Sequence, residues 1–201
     1  GLSLQHAGRN IRYEFFQEIS EKHNYNKIAI AHNADDQIET FLLRIIKGTG
    51  IRGLSSIPVK RDNIVRPLLT SYRSEIEEYA RGCSLSFVED SSNKKTIYER
   101  NFIRQEILPL MEKINPVFRE KIGDLLRDFS LVNELFNRKV EVFLNDEMQK
   151  ANDEVLIKVD ALNAIDEETR FRVFSEILMT MEPRFIPLRE HIHLIEQILM
   201  G

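Results

Sequence analysis

Lys27-Ile28-Ala29-Ile30-Ala31-His32-Asn33-Ala34-Asp35-Asp36-Gln37-Ile38-Glu39-Thr40 is the stretch that decides the fold. Its first five residues read as a short strand, buried on both faces if it belongs to a parallel sheet. Asn33 can cap a helix running from Ala34 to about Lys47, and Gly48 stops it. Strand running into capped helix is the repeating unit of an α/β sheet. Ligands gather where such a strand ends and its helix begins. Asp36, Glu39 and Thr40 stand at i, i+3 and i+4 and share one helix face, with Asp35 one position off it. Two chemistries fit these carboxylates. They can serve the helix start, since Asn33 with Asp36 has the form of a capping box and acids favour the amino-terminal dipole. They can equally hold an amine, or Mg²⁺ through a nucleotide's phosphates. His32 by itself fits a packed strand end as well as a site group.

Working outward, residues 5–22 carry Ala7, Ile11, Phe15 or Phe16, and Ile19 at helical spacing, and Asn24 and Asn26 break the pattern. Downstream, Ile64-Val65 and Leu85-Ser86-Phe87-Val88 read as further strands. A helix from about Ser74 to Arg81, capped by Ser71 or Ser74, separates them. Gly48, Gly50 and Gly53 match G-x-G-x-x-G but follow a helix and precede a loop, so they are not a dinucleotide fingerprint. Pro109 and Pro116 punctuate short helices. Residues 117–150 then form a long helical pattern with Ile122, Leu125, Leu126, Phe129, Val132, Leu135 and Phe136. A single β-like run, Val155–Val159, precedes caps at Asp160 and Asp166, and a last helix ends at Met200. The fold class expected is α/β: a partial parallel-sheet domain over 1–116 and a mostly α-helical domain over 117–201.

Composition narrows the function classes. The 201 residues are 42% hydrophobic and 30% charged with net charge −4, which excludes disordered and collagen-like chains. Cys83 is the only cysteine, so no internal disulfide framework or cysteine zinc site exists, and a reducing compartment, the cytoplasm, is expected. Apolar runs are too short to span a membrane, and no secretion signal opens the chain. Eighteen basic against 16 acidic residues give +2 over residues 1–120, whereas 10 against 16 give −6 over 121–201. Arginines in polar loops of the first part are a solvated face or a surface for phosphates. Arg100 and Arg104, at i and i+4, form a basic helix edge or aim guanidinium groups at a carboxylate or phosphate.

In order, the chain shows Gly8-Arg9-x-x-Arg12-Tyr13, Ala31-His32-x-x-Asp35-Asp36-Gln37-x-Glu39-Thr40, Lys47-Gly48-x-Gly50-x-x-Gly53-Leu54, Arg66-Pro67-Leu68-Leu69, Glu89-Asp90-x-Ser92-Asn93 and Arg100-Asn101-x-x-Arg104. This series resembles the bacterial tRNA(Ile)-lysidine synthase family of the PP-loop ATP pyrophosphatase superfamily, strongly over about residues 5–112. The fold implied is the adenine-nucleotide α-hydrolase-like sheet domain, with 117–201 similar in general pattern to that family's first carboxy-terminal domain. The family's Ser-Gly-Gly-x-Asp-Ser phosphate loop does not occur in this sequence, and Gly8 stands where the family usually has Ala. A chain that opens at Gly1 with part of a sheet is expected to be a fragment of a longer enzyme, inactive alone.

The resemblance implies ligation of L-lysine to the wobble cytidine of the CAU anticodon of tRNA(Ile), with ATP and Mg²⁺. ATP adenylates the cytidine, pyrophosphate leaves, and the lysine ε-amine displaces AMP. It implies catalytic roles for Asp36, Glu39, Arg12 and Arg104. Asp36 and Glu39 would face lysine and the reacting carbon, with Arg12 and Arg104 as cations. Substrate-binding roles fall to His32, Asp35, Arg9, Arg66, Asn93 and Asn101, with Glu89 shaping the site and Asp35 a candidate Mg²⁺ partner. The rivals are a PP-loop thiolase, disfavoured by the lone Cys83, and a non-catalytic tRNA-binding fragment. No membrane partner is expected.

Overall fold

The computed structural model describes residues 4–88, 99–151, 154–182 and 185–200. It is mixed α/β, with a small sheet containing a parallel pair and a mostly helical remainder. The chain divides into two compact units, Gly1–Ser130 and Leu131–Gly201. That division falls later than Pro116, because Phe118, Ile122, Leu126 and Phe129 all pack into the first unit's core.

In the first unit, α1 (Leu4–Lys22) precedes β1 (Ile28–Ala29), α2 (Ala34–Lys47) and a one-turn α3 (Ile51–Leu54). A tight hairpin, β2 (Lys60–Arg61) and β3 (Ile64–Val65), leads to α4 (Arg73–Gly82). The sheet order is β1-β3-β2. β1 pairs parallel with β3, Ile28 opposite Ile64 and Ala29 opposite Val65, and β2 pairs antiparallel with β3. Then come α5 (Glu99–Phe102), a π-helical turn at Ile103–Ile107, α6 (Leu108–Ile114) and the start of α7 (Phe118–Glu147). The core is built on α2, whose Ile38, Phe41 and Leu42 meet Ile103, Leu108 and Leu126. Each such side chain contributes about 1.5–3 kcal/mol by leaving water.

α2 forms as its sequence dictates. Asn33 accepts from the Asp36 amide, and Asp36 Oδ2 accepts from the Asn33 amide, both at 3.0 Å. Gly48 closes the helix at φ 74°, a value that glycine adopts without strain. Gly53 has a different reason: a Cβ there would sit 1.8 Å from Thr49 Oγ1.

Several expectations need correction. β1 is not buried on both faces. Ile28 is half-buried and Ala29 exposed, since among the described residues β1 has β3 as its one neighbour and lies at a sheet edge. Leu85–Val88 is no strand. Among the described residues it pairs with no strand, only the Leu85 amide returning to the Ala80 carbonyl at 2.9 Å, and Leu85, Phe87 and Val88 are exposed. The loop expected after Gly48 contains the α3 turn. Tyr72, not a serine, stands at the α4 N-cap, and its amide is taken by Glu75 at 2.6 Å.

The second unit holds the rest of α7, the hairpin β4 (Gln149–Ala151) and β5 (Glu154–Leu156), α8 (Val159–Asn163), α9 (Glu167–Met181) and α10 (Arg189–Met200). The single β-like run thus has a partner, and α8 begins before Asp160, with Lys158 at its N-cap. Asp166 caps α9, accepting from the Thr169 amide at 2.9 Å. Val140, Phe143, Leu162, Val173, Phe174 and Ile192 form the core.

Candidate functional site

Three of the four residues expected at the reaction centre come together on α2 and the π turn. Glu39 is fully buried, and Arg104 grips it bidentately, Nε to Oε1 at 2.6 Å and Nη2 to Oε2 at 3.0 Å. Burial pushes the Glu39 carboxyl up, and the bonds from Arg104 oppose that rise. The same pairing holds the Arg104 guanidinium above its ordinary value. One turn earlier on the same face, Asp36 keeps Oδ2 on the Asn33 amide and turns Oδ1 toward Arg100, 3.9 Å away. Arg100 also donates to Thr40 Oγ1 at 2.8 Å. Arg100 and Arg104 therefore read the two ends of one acidic stripe, which gives the i, i+4 arginine spacing its purpose. The π turn lies immediately before Pro109. A proline ring clashes with the carbonyl four residues back, here Gln105, so the helix widens there.

His32, at the end of β1, accepts at Nδ1 from Arg66 Nε at 3.1 Å. Arg66 follows β3 directly, is 4% exposed, and donates through Nη1 to the Pro58 carbonyl at 2.7 Å. Asp35 is engaged from two sides. It accepts from the Arg73 amide at 2.7 Å, capping α4 from outside, and pairs with Arg119 of α7. Both oxygens are taken, and the described residues contain no group of three His, Cys, Asp or Glu that could hold a metal ion. Each oxygen of Asp35 keeps a further lone pair, so a Mg²⁺ carried by nucleotide phosphates needs no such cluster.

Arg12 is exposed on α1 and, among the described residues, makes no hydrogen bond or ion pair with the Glu39–Arg104 group. Arg9 is on α1, with its side chain outside the described set. Asn101 lies on α5, whereas Glu89 and Asn93 fall outside the described residues. Sequence reasoning passed over Gln37, whose amide clamps Ile57: Nε2 donates to its carbonyl at 2.8 Å, and Oε1 accepts from its amide at 2.7 Å. It also missed Arg44, which ties α2 to the loop through the Ser56 carbonyl at 3.0 Å. Nothing local in the sequence marks either partner. A cavity of about 540 Å³ opens between Tyr13, Gln17, Ile28, Asp62, Asn63 and Ile64. It lies at the entering ends of β1 and β3, the opposite end from His32, so the chemistry is better placed at the acidic stripe than in this larger hollow.

Buried carboxylate, bidentate guanidinium and a second acid beside them can orient an amine and counter negative charge. Among the described residues, no helix is long and apolar enough to cross a membrane. The PP-loop domain family matches residues 1–111. A tRNA(Ile)-lysidine synthase of Thermotoga maritima is 40% identical over 144 residues, which is 72% of this chain and 35% of that protein. That of Thermosipho africanus is 45% identical over 121 residues, 60% of this chain and 28% of the relative. That of Geobacillus kaustophilus is 33% identical over 198 residues, 96% of this chain and 43% of the relative. The chain spans well under half the length of these relatives. With more than half of its length matched and the strand-end acidic helix in place, the chain belongs to the PP-loop domain family.

Proposed function

We propose that this chain is the carboxy-terminal part of the catalytic domain, with an adjoining helical domain, of a cytoplasmic enzyme that ligates L-lysine to tRNA(Ile). The catalytic portion is assigned to residues 1–116 and the helical portion to 117–201, the opening turns of α7 being packed into the catalytic core. The substrate oxygen, on the ring of the wobble cytidine in the CAU anticodon, attacks the α-phosphorus of ATP and releases pyrophosphate. The lysine ε-amine then forms a bond to the ring carbon, AMP departs with the oxygen, and the amine proton passes to a carboxylate. An amine with a pKa of about 10.4 needs such an acceptor. Asp36 is assigned that role, because Oδ1 is not committed to the helix cap. Glu39 and Arg104 hold the amine and the adenylate's charge in register, and Arg12 supplies a further cation. His32, Asp35, Arg9, Arg66, Asn93 and Asn101 shape the substrate site. Mg²⁺ would arrive on the nucleotide phosphates, with Asp35 a candidate partner beside them.

The observation that carries this reading is the buried Glu39–Arg104 fork beside Asp36 at a strand end. Two of the three residues are 65 positions apart in sequence and belong to different motifs of the resemblance. The test joins this chain to a segment bearing a Ser-Gly-Gly-x-Asp-Ser phosphate loop and supplies tRNA(Ile) transcript, ATP and labelled lysine. Labelled tRNA is expected from the joined protein and none from the chain alone. No incorporation by a folded joined protein, or incorporation by the chain alone, would overturn the reading.

A further inference from the structure

The pair at the ends of the two parallel strands has a property that the reaction scheme does not require. β1 and β3 run side by side, and the Ile30 amide still donates to the Val65 carbonyl at 2.9 Å, so His32 and Arg66 leave the sheet as neighbours. Arg66 Nε donates to His32 Nδ1 at 3.1 Å. A guanidinium in a protein always donates, and a ring nitrogen that accepts carries no proton. The imidazole proton therefore resides on Nε2. Arg66 is 4% exposed, and its side-chain partners among the described residues are His32 and the Pro58 carbonyl, both neutral. No carboxylate bonds Arg66 among the described residues, and a buried cation polarises whatever it donates to.

We propose that Arg66 is a positioning residue. It fixes His32 as the neutral Nε2–H tautomer and polarises it, so that His32 is a hydrogen-bond donor for an anionic oxygen and not a base. Two consequences separate this from a surface contact with RNA. Arg66 is too buried to offer its fork to a phosphate backbone, and its charge acts through the imidazole. The anion that His32 meets, the phosphoryl oxygen of the adenylated base, rests on the function proposed above; the tautomer does not.

The test is long-range ¹H–¹⁵N correlation on the ¹⁵N-labelled chain at pH 7, with the His32 signal assigned by its loss in His32→Gln. The expected wild-type pattern is a proton-bearing Nε2 and an accepting Nδ1. In Arg66→Met the two tautomers should interchange and the ring shifts should move toward their average. A proton on Nδ1 or on both nitrogens in the unaltered chain overturns the proposal. So does a His32 signature that Arg66→Met leaves unchanged, because a merely structural arginine would do that. If Arg66→Met does not fold, the scalar coupling across the Arg66 Nε–H to Nδ1 bond in the unaltered chain decides, its absence overturning the proposal. Failure of lysine transfer with the tautomer fixed would remove the proposed function and leave this inference standing.

Discussion

Each unit of the molecule contains a buried arginine–glutamate pair, and the two are built inside out relative to each other. In the first unit the acid lies inside, with Glu39 at 0% side-chain exposure and Arg104 at 30%. In the second the base lies inside, with Arg172 at 4% and Glu168 at 18%. Arg172 and Glu168 are i+4 and i on α9, bonded at 2.9 Å. Arg172 Nη1 is met by Asn133 Oδ1 at 2.8 Å and Asn137 Oδ1 at 3.2 Å, Nη2 is buried with no hydrogen-bond partner among the described residues, and the guanidinium lies over the Phe136 ring. One helix turn makes that pair, and nothing reactive is turned outward. Glu39–Arg104 is assembled from segments 65 residues apart and presents a cation at its opening. A pair that is local and closed stabilises. One that is remote in sequence and open on its cationic side is suited to meet a substrate.

The comparison breaks most visibly if the inner partner is stranded. Arg104→Met leaves Glu39 buried without its counter-charge, and a loss of roughly 3–5 kcal/mol is expected. Burial already raises the Glu39 carboxyl, and loss of Arg104 raises it further. An acid with a raised folded-state value adds stability at low pH and loses it as pH rises through that value. Urea unfolding should therefore show a larger deficit at pH 7 than at pH 4. An equal deficit at both would mean that Glu39 is not the stranded group.

Asp36→Asn tests the open side. In the protein joined to a phosphate loop, lysine transfer should fall on the order of 10²-fold or more, as for a positioned acid–base group. The melting temperature should hold, since an asparagine oxygen can still accept from the Asn33 amide. Near-normal transfer with a slightly lower melting temperature would make Asp36 a cap alone. Arg172→Met is expected to cost less than the Arg104 change, about 1–3 kcal/mol, because Glu168 retains Arg189 at 2.6 Å. That cost should be flat between pH 5 and pH 8, the reverse of the Arg104 pattern; a slope there would erase the contrast. The smallest effect belongs to Asp166→Ala, about 1 kcal/mol for a lost helix cap. The hydrogen bond from Lys139, with the Thr169 bonds, holds Asp166 down to about 2. A depressed acid contributes stability above its ordinary value of 3.8, so the wild-type advantage should fade between there and about 2 in acid titrations.

What could be read in the sequence was whatever one turn of backbone determines. Asn33 to Gly48 is a complete helix signal, and the capping box, the stop and the buried Ile38, Phe41 and Leu42 follow from it. β2 was not legible, because two residues cannot show alternation. Its trace was the Asp62-Asn63 turn, where Asp62 takes φ 55°. Leu85-Ser86-Phe87-Val88 misled for the opposite reason, showing alternation with no strand to receive it. The site was legible by motif as a set of residue types. Its geometry depends on bonds between distant positions, such as Asp35 with Arg119, Gln37 with Ile57 and His32 with Arg66. No spacing rule reports those.

The widened turn before Pro109 bears on how this region should be aligned. Ile103 and Leu108 are 2% and 0% exposed and belong to one core, and the Leu108 amide donates to the Ile103 carbonyl five residues back. On a uniform helical wheel at 100° per residue they would stand about 140° apart. The segment thus carries one residue more than a straight helix needs, and its periodicity changes phase midway. Arg100 and Arg104 keep their bearing on α2 only while that extra residue is counted. An alignment that opens a single-residue gap here matches letters while rotating every preceding side chain away from the carboxylates. Length through this turn is as much a constraint as the arginines themselves.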